Sequence, residues 1–232
     1  MHIGILATGA PPGDLAAAHG DYTVMTARLL GVSHRYTTYA VATGDLPRSH
    51  TACDAYLVTG SAAGVNDDLP WIEPLAMLLR AVRGRVPLIG ICFGHQIIAH
   101  AFGGRIERAA QGWGLGLHRY ALARPVAGLG SEVAAIASHQ DQVVLPPETS
   151  RVIAASAFTP NAALAYADGD ALTMQFHPEF DQDYAAALIA AHNAPDIGRS
   201  LREQAIASLD GPNDNLAMGL WLNRYLSTGT IA

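Results

Sequence analysis

Short apolar runs closed by glycine or polar turns alternate along the chain with longer segments whose apolar residues recur every three or four positions. His2–Ala7, Tyr36–Val41 and Val86–Ile91 read as strands, and Ala55–Thr59 as a buried one. Between them, Asp21–Leu30 reads as a helix with Tyr22, Met25, Leu29 and Leu30 on one side. Trp71–Val82 is a second helix, with Pro74 tolerated in its first turn. Phe93–Phe102 is a third, stopped by Gly103 and Gly104. This βαβα order predicts an α/β fold with a mostly parallel sheet covered on both faces. From about residue 105 to 176 the pattern changes to short strands at Gly116–Ala123, Val133–Ala137, Arg151–Ser156, Ala163–Ala167 and Ala171–Gln175. Turn residues separate them, as in an antiparallel or mixed extension of the sheet. Beyond Asp181 helical periodicity returns at about 183–192, 196–209 and 213–226. The organisation expected is one compact body, 1–180, with a helical C-terminal extension, 181–232, packed on it. The apolar stripes of that extension (Leu201, Ile206 and Leu209, then Leu216, Leu220, Trp221 and Tyr225) fit packing against the body, the alternatives being a homodimer interface or a cover over the substrate.

Composition narrows the chemistry. Half of the 232 residues are hydrophobic and 15% are charged, enough to build a packed core. Fourteen basic residues against twenty acidic ones leave a net charge of −6, which weighs against nucleic acid as the partner. Every basic residue is Arg, and the absence of Lys excludes a Walker A phosphate loop, a pyridoxal Schiff base and a lysine aldolase. Met1–Ala10 has no basic stretch before its apolar residues, so no secretory leader is expected. No apolar run approaches the ~18 residues needed to span a bilayer. The expected setting is the cytoplasm, where a free thiol survives as a nucleophile.

Of the two cysteines, Cys92 stands out. It lies directly between a strand and a helix in VPLIGICFGHQIIAHAF, with Gly90 and Gly94 at minus two and plus two. A nucleophile elbow has this form: a sharp turn lifts the reactive atom clear of the sheet edge and places it at a helix N-terminus, where the dipole favours an anion. The N–H of Phe93 then points to where an oxyanion would form. Cys53, before a strand and without flanking glycines, reads as packing. A thiol nucleophile needs a base, and the base an orienting group. QFHPEF, just past the last strand, supplies His177 and Glu179 two residues apart, with Pro178 pushing His177 towards an extended conformation. Both segments are expected at one sheet edge, so that Glu179 holds one ring nitrogen while the other faces Cys92. His95 and His100, five apart, do not share a helix face, and the other histidines lack ligand spacing, so no metal site is expected.

Together, GICFGHQ and QFHPEF resemble the class I glutamine amidotransferase family, and the resemblance runs over nearly the whole chain to about residue 180. LVTGSAAGVNDDLPWIE, residues 57–73, looks like the family's oxyanion loop, Gln96 like the glutamine that touches the bound γ-glutamyl group, and SHQDQV (Ser138, His139, Asp141) like the Ser-His-Gly-Asp segment of the GMP-synthase-type branch. The resemblance implies a flavodoxin-like three-layer sandwich and a Cys92–His177–Glu179 triad. It also implies an oxyanion hole from the amides of Gly60 and Phe93. Gln96, Ser138 and His139 would contact a small γ-glutamyl substrate, and no cofactor is needed. Two positions depart from the family pattern: Ala62 stands where proline is frequent, which loosens the oxyanion loop, and Gln140 stands where glycine is usual. The sequence shows no ATP-pyrophosphatase phosphate loop, so a complete synthetase is not expected. Three readings follow: a stand-alone γ-glutamyl hydrolase, similar also to plant γ-glutamyl peptidases; a glutaminase subunit passing ammonia to a separate synthetase; or a non-catalytic binding protein of the same fold.

Overall fold

The computed structural model describes residues 1–167, 170–192 and 194–230. Its strands are β1 (His2–Ala7), β2 (Arg35–Ala40), β3 (Ala55–Val58), β4 (Leu88–Ile91), β5 (Arg105–Arg108), β6 (Gly114–Val126), β7 (Gly130–His139), β8 (Asp141–Leu145), β9 (Ser150–Ala155), β10 (Ala163–Tyr166) and β11 (Ala171–Met174). Its helices are α1 (Leu15–His19), α2 (Tyr22–Leu30), α3 (Ile72–Val82), α4 (Phe93–Ala101), α5 (Gln182–Ala191), α6 (Arg199–Ser208) and α7 (Asn215–Thr228). A nine-stranded sheet runs β2-β1-β3-β4-β11-β10-β9-β6-β7, and β5 pairs separately with β8. The ladders from β2 to β11 are parallel and those from β11 to β7 antiparallel, so β10 and β6 alone run against the rest. The expected mixed, mostly parallel sheet is therefore present.

Alternation along the central strands builds the layers. Ala55 and Leu57 of β3, Ile89 and Ile91 of β4, and Leu172 and Met174 of β11 join one core with Met218, Trp221, Leu222 and Tyr225 of α7. Their neighbours Tyr56, Val58, Leu88 and Ala171 join the opposite core, with Leu75 and Leu79 of α3 and Ile97 and Ile98 of α4. Successive strand residues point to opposite faces, so two helical layers sandwich the sheet. A third cluster gathers α2, α5 and α6 residues over Leu115 and Ile136 of β6 and β7. Helix α6 approaches β6 closely because residue 116, at φ +86°, is glycine: a Cβ there would run into Ser208 and Ala205. Of the C-terminal stripes, Leu209, Trp221 and Tyr225 are buried, whereas Ile206, Leu216 and Leu220 are exposed. No helix among the described residues is long and apolar enough to cross a membrane.

Three local expectations change. The 36–41 strand gives way to a short 3₁₀ turn at Val41–Thr43. The β5–β8 pair and α1 were not expected: RIER and DQVVL are short and partly charged, and α1 buries none of its residues, so neither leaves an amphipathic pattern. The strands expected at 116–123 and 133–137 extend to Gly114–Val126 and Gly130–His139, with a register shift after Ala121 that accommodates Pro125.

Candidate active site

Cys92 ends β4 and caps α4 with φ 51° and ψ −102°. Among the described residues it is the one non-glycine with positive φ. Such strain costs ~1–3 kcal/mol and persists only where the surroundings impose it. Here the surroundings are tight backbone contacts. A Cβ on Gly90 would sit 2.5 Å from the carbonyl oxygen of Gly94, and one on Gly94 would collide with the carbonyl oxygen of Val58. Both glycines are thus set by the close passage of the turn, as the elbow pattern predicts.

The sheet register assembles the rest. Val58 pairs with Gly90 and Met174 with Ile91, so continuing those registers puts Gly60, Cys92 and Gln175 on one rung. The Cys92 amide donates to the Met174 carbonyl at 2.8 Å. Two residues beyond Gln175, the His177 amide donates to the Ile136 carbonyl of β7 at 2.8 Å, which ties the histidine to the antiparallel half of the sheet. His177 Nδ1 lies 2.7 Å from Glu179 Oε1, with both side chains buried. The extended chain expected through this pair is not found: the backbone turns at Pro178–Glu179, and the two side chains meet across that turn. The imidazole stacks on Phe180, with centroids 4.0 Å apart and planes 6° apart, and lines the same cavity as the Cys92 side chain.

Burial disfavours a charged imidazole, but the charges of Glu179 and Cys92 outweigh it and raise the pKa of His177 to about 10. A folded value above the ordinary 6.5 means that the imidazolium stabilises the fold fully below about pH 6.5 and ceases to do so as pH rises through about 10. The urea midpoint of the wild type, measured relative to a His177→Gln variant, should fall across that interval; a constant difference would contradict the ion pair.

Gln175 was not singled out from the sequence. Its amide nitrogen donates towards Cys92 Sγ at 3.6 Å, while its oxygen accepts from Gln96 Nε2 at 3.1 Å. Gln96 also donates to the Asp141 carbonyl at 2.8 Å. Because Gln96 fills the acceptor side of the Gln175 amide, the donor side must face the sulfur. This relay spans three elements, and no spacing rule in one segment reveals it.

A cavity of about 540 Å³ opens on these groups, lined among others by Cys92, Gln96, Ser138, His139, Asp141 and His177. Residues 23–192 match the model of the glutamine amidotransferase class-I family. The chain belongs to the class I glutamine amidotransferase family.

Curated relatives of this amidotransferase include the glutamine-hydrolysing GMP synthase of Thermus thermophilus, 37% identical over 68% of the chain and 31% of that enzyme, so the chain spans about a third of its length. Gamma-glutamyl peptidase 4 of Arabidopsis thaliana is 29% identical over 71% of the chain and 70% of that protein. Among solved structures, a glutamine amidotransferase of Thermotoga maritima superposes with a TM-score of 0.75 over 98% of this chain and all of its own, at 18% identity. The flavodoxin-like fold and an enzyme of the amidotransferase type follow from these matches.

Within the amidotransferase, Gly60 abuts Cys92 and His177: a Cβ on it would lie 2.9 Å from His177 Cε1 and 3.8 Å from the Cys92 Cβ. Phe93, the first residue of α4, directly follows Cys92 and is buried. Three hydrogen bonds brace the loop after β3 on either side of Ala62. The Ser61 hydroxyl donates to the Thr8 carbonyl at 2.7 Å and accepts from the Ala63 amide at 3.1 Å, and the Gly64 amide donates to Asp67 at 2.7 Å. Ser138 and His139 end β7 beside Cys92, whose Sγ is 4.0 Å from the Ser138 carbonyl. Burial pushes the His139 imidazole down to about 3, so it is neutral at physiological pH. Gln140 uses its side chain to reach Asp196 at 2.9 Å, and Trp113 donates to the same carboxylate at 3.1 Å, fastening the α5–α6 connection to the rim of the cavity. Cys53 lies in the α3/α4-side core, away from these groups.

Proposed function

We propose that the chain hydrolyses a γ-glutamyl amide through Cys92, His177 and Glu179. The observation that carries the reading is the buried His177–Glu179 pair lining the same cavity as Cys92, with Gly60 against both, at a strained elbow. The Cys92 thiolate adds to the γ-carbonyl carbon, and the amides of Gly60 and Phe93 hold the resulting oxyanion, each such donor being worth ~3 kcal/mol. His177, protonated and held by Glu179, gives its proton to the leaving amine as the C–N bond breaks, leaving a γ-glutamyl thioester. The neutral imidazole then takes a proton from water, which attacks the thioester; glutamate leaves and the thiolate returns. Gln96, Ser138 and His139 border the γ-glutamyl group. The half-reaction needs neither metal nor organic cofactor, and its free thiol suits the cytoplasm.

The likeness to a GMP synthase supports a second reading, in which the liberated ammonia passes to a separate synthetase. Purified protein incubated with glutamine and a set of γ-glutamyl amides should release glutamate without a partner. Acid-quenched enzyme should carry one γ-glutamyl group by intact mass. Release seen only after a synthetase is added would favour the second reading. Release unchanged in Cys92→Ala would end both.

A further inference from the structure

The cavity has two chemically different ends. Around Gln96 it is polar and charged: the carboxylates of Asp67 and Asp141 flank Gly64, and Arg108 lies 3.9 Å from Asp141. One end therefore offers both signs of charge, which suits the zwitterionic amino-acid head of a γ-glutamyl compound. The other end lies beyond His177. Phe180 stacks on the imidazole, Tyr22 packs 5.6 Å from Phe180, and both belong to one apolar cluster with Leu188 and Trp113. Tyr22, Phe180, Leu188, Ala191 and Trp113 all line the cavity.

Which end receives the leaving amine is fixed by the reaction, because the nitrogen must lie against His177 to take its proton. Whatever that nitrogen carries points into the apolar end. A volume of about 540 Å³ falls in the ~300–1,000 Å³ range of pockets that enclose drug-sized ligands, more than a single amino acid fills. Charge restricts the occupant further. The chain has no Lys, and the sole Arg among the described lining residues is Arg108, whose charge already faces the carboxylates of Asp141 and Asp196. Arg202, near His192, spends its guanidinium on the Ile189 and His192 carbonyls at the end of α5 and does not line the cavity. Burial and Arg202 hold the His192 imidazole below its ordinary range, so it supplies no cation at neutral pH. A carboxylate on the leaving amine would find no partner there, and burying an unpaired charge is costly.

We propose that the preferred substrates are γ-glutamyl amides of uncharged apolar or aromatic amines, in preference to free glutamine and to γ-glutamyl peptides whose leaving residue carries a carboxylate. This rests on the hydrolytic reading above and adds the identity of the leaving group. The experiment compares kcat/KM for γ-glutamyl-2-phenylethylamide, γ-glutamylphenylalanine and glutamine, with Cys92→Ala as the control. The phenylethylamide should exceed each of the others by about tenfold or more. In Ala191→Arg, at the half-buried end of α5, the preference for the phenylethylamide over γ-glutamylphenylalanine should shrink by about tenfold, because the new guanidinium supplies the missing cation. Glutamine turned over as well as the phenylethylamide would overturn the proposal while leaving the hydrolytic reading intact. So would γ-glutamylphenylalanine preferred by the wild type, or an unmoved ratio in a folded Ala191→Arg. No Cys92-dependent release from any of the three would instead overturn the hydrolytic reading itself.

Discussion

Cys92→Ala should lower kcat for γ-glutamyl amide hydrolysis by roughly 10⁴-fold or more, because triad members act as a unit and the other thiol, Cys53, lies in a separate core. A paired measurement makes the expectation specific to the elbow. Cys92 holds φ 51°, a region that costs any residue with a Cβ ~1–3 kcal/mol and costs glycine little. Glycine is ordinarily less stable than alanine by ~0.5–1 kcal/mol inside regular structure. At position 92 the order should invert, with Cys92→Gly melting above Cys92→Ala although both are inactive. Thermal unfolding of the two variants side by side measures the strain directly. If alanine proves the more stable, the turn is not strained and the elbow argument loses its energetic basis.

Gly94→Ala should be the most damaging glycine-to-alanine change among the described residues. The added Cβ would meet the carbonyl oxygen, carbonyl carbon and Cβ of Val58, all in the fully buried strand β3. None of these is the loose end of a flexible side chain. Relief requires α4 to move away from the sheet or β3 to shift, and either opens the core shared by Ile97, Ile98 and Leu79. Overpacking of this kind costs ~1–3 kcal/mol, and backbone collision puts it at the upper end or beyond. For a chain of this size ~3 kcal/mol lowers Tm by ~6–12 °C. Activity should fall with it, since α4 carries both Phe93 and Gln96. A variant with unchanged Tm and kcat would show that helix and strand are further apart than described.

Much of this site was legible in the chain because its parts are local. Gly90, Cys92 and Gly94 lie within five residues, and the reason for each glycine is the turn itself. His177 and Glu179 lie two apart, although the turn at Pro178–Glu179 that joins them was not foreseen. The buried runs AYLV and LIGI, with the helix between them, marked neighbouring parallel strands, whereas the parallel pairing of β11 with β4 was not legible. What escaped depends on contacts between distant segments. Gln175 gains its role only because β11 lies beside β4 and Gln96 rises from the next helix. Phe180 and Tyr22 are ordinary apolar residues until the fold sets them against His177. The β5–β8 pair joins segments that carry no amphipathic signal of their own. The tie from Gln140 and Trp113 to Asp196 could not be read from Gln140 alone, since its departure from glycine marks an oddity without naming a partner.

The rung shared by Gly60, Cys92 and Gln175 has a bearing on how such a molecule can change over generations. Side chains alternate faces along a strand, so one residue gained or lost within β3, β4 or β11 would turn that strand's contribution towards the wrong layer. Duplication of a codon there would add a single residue and be fatal in chemistry. By the same rule, a change of length avoids that cost only in the bends at the far rim of the sheet and in the connections around the cavity mouth. Those connections include the ones that shape the chamber for the departing amine, so new substrates can be explored while the cutting machinery stays fixed.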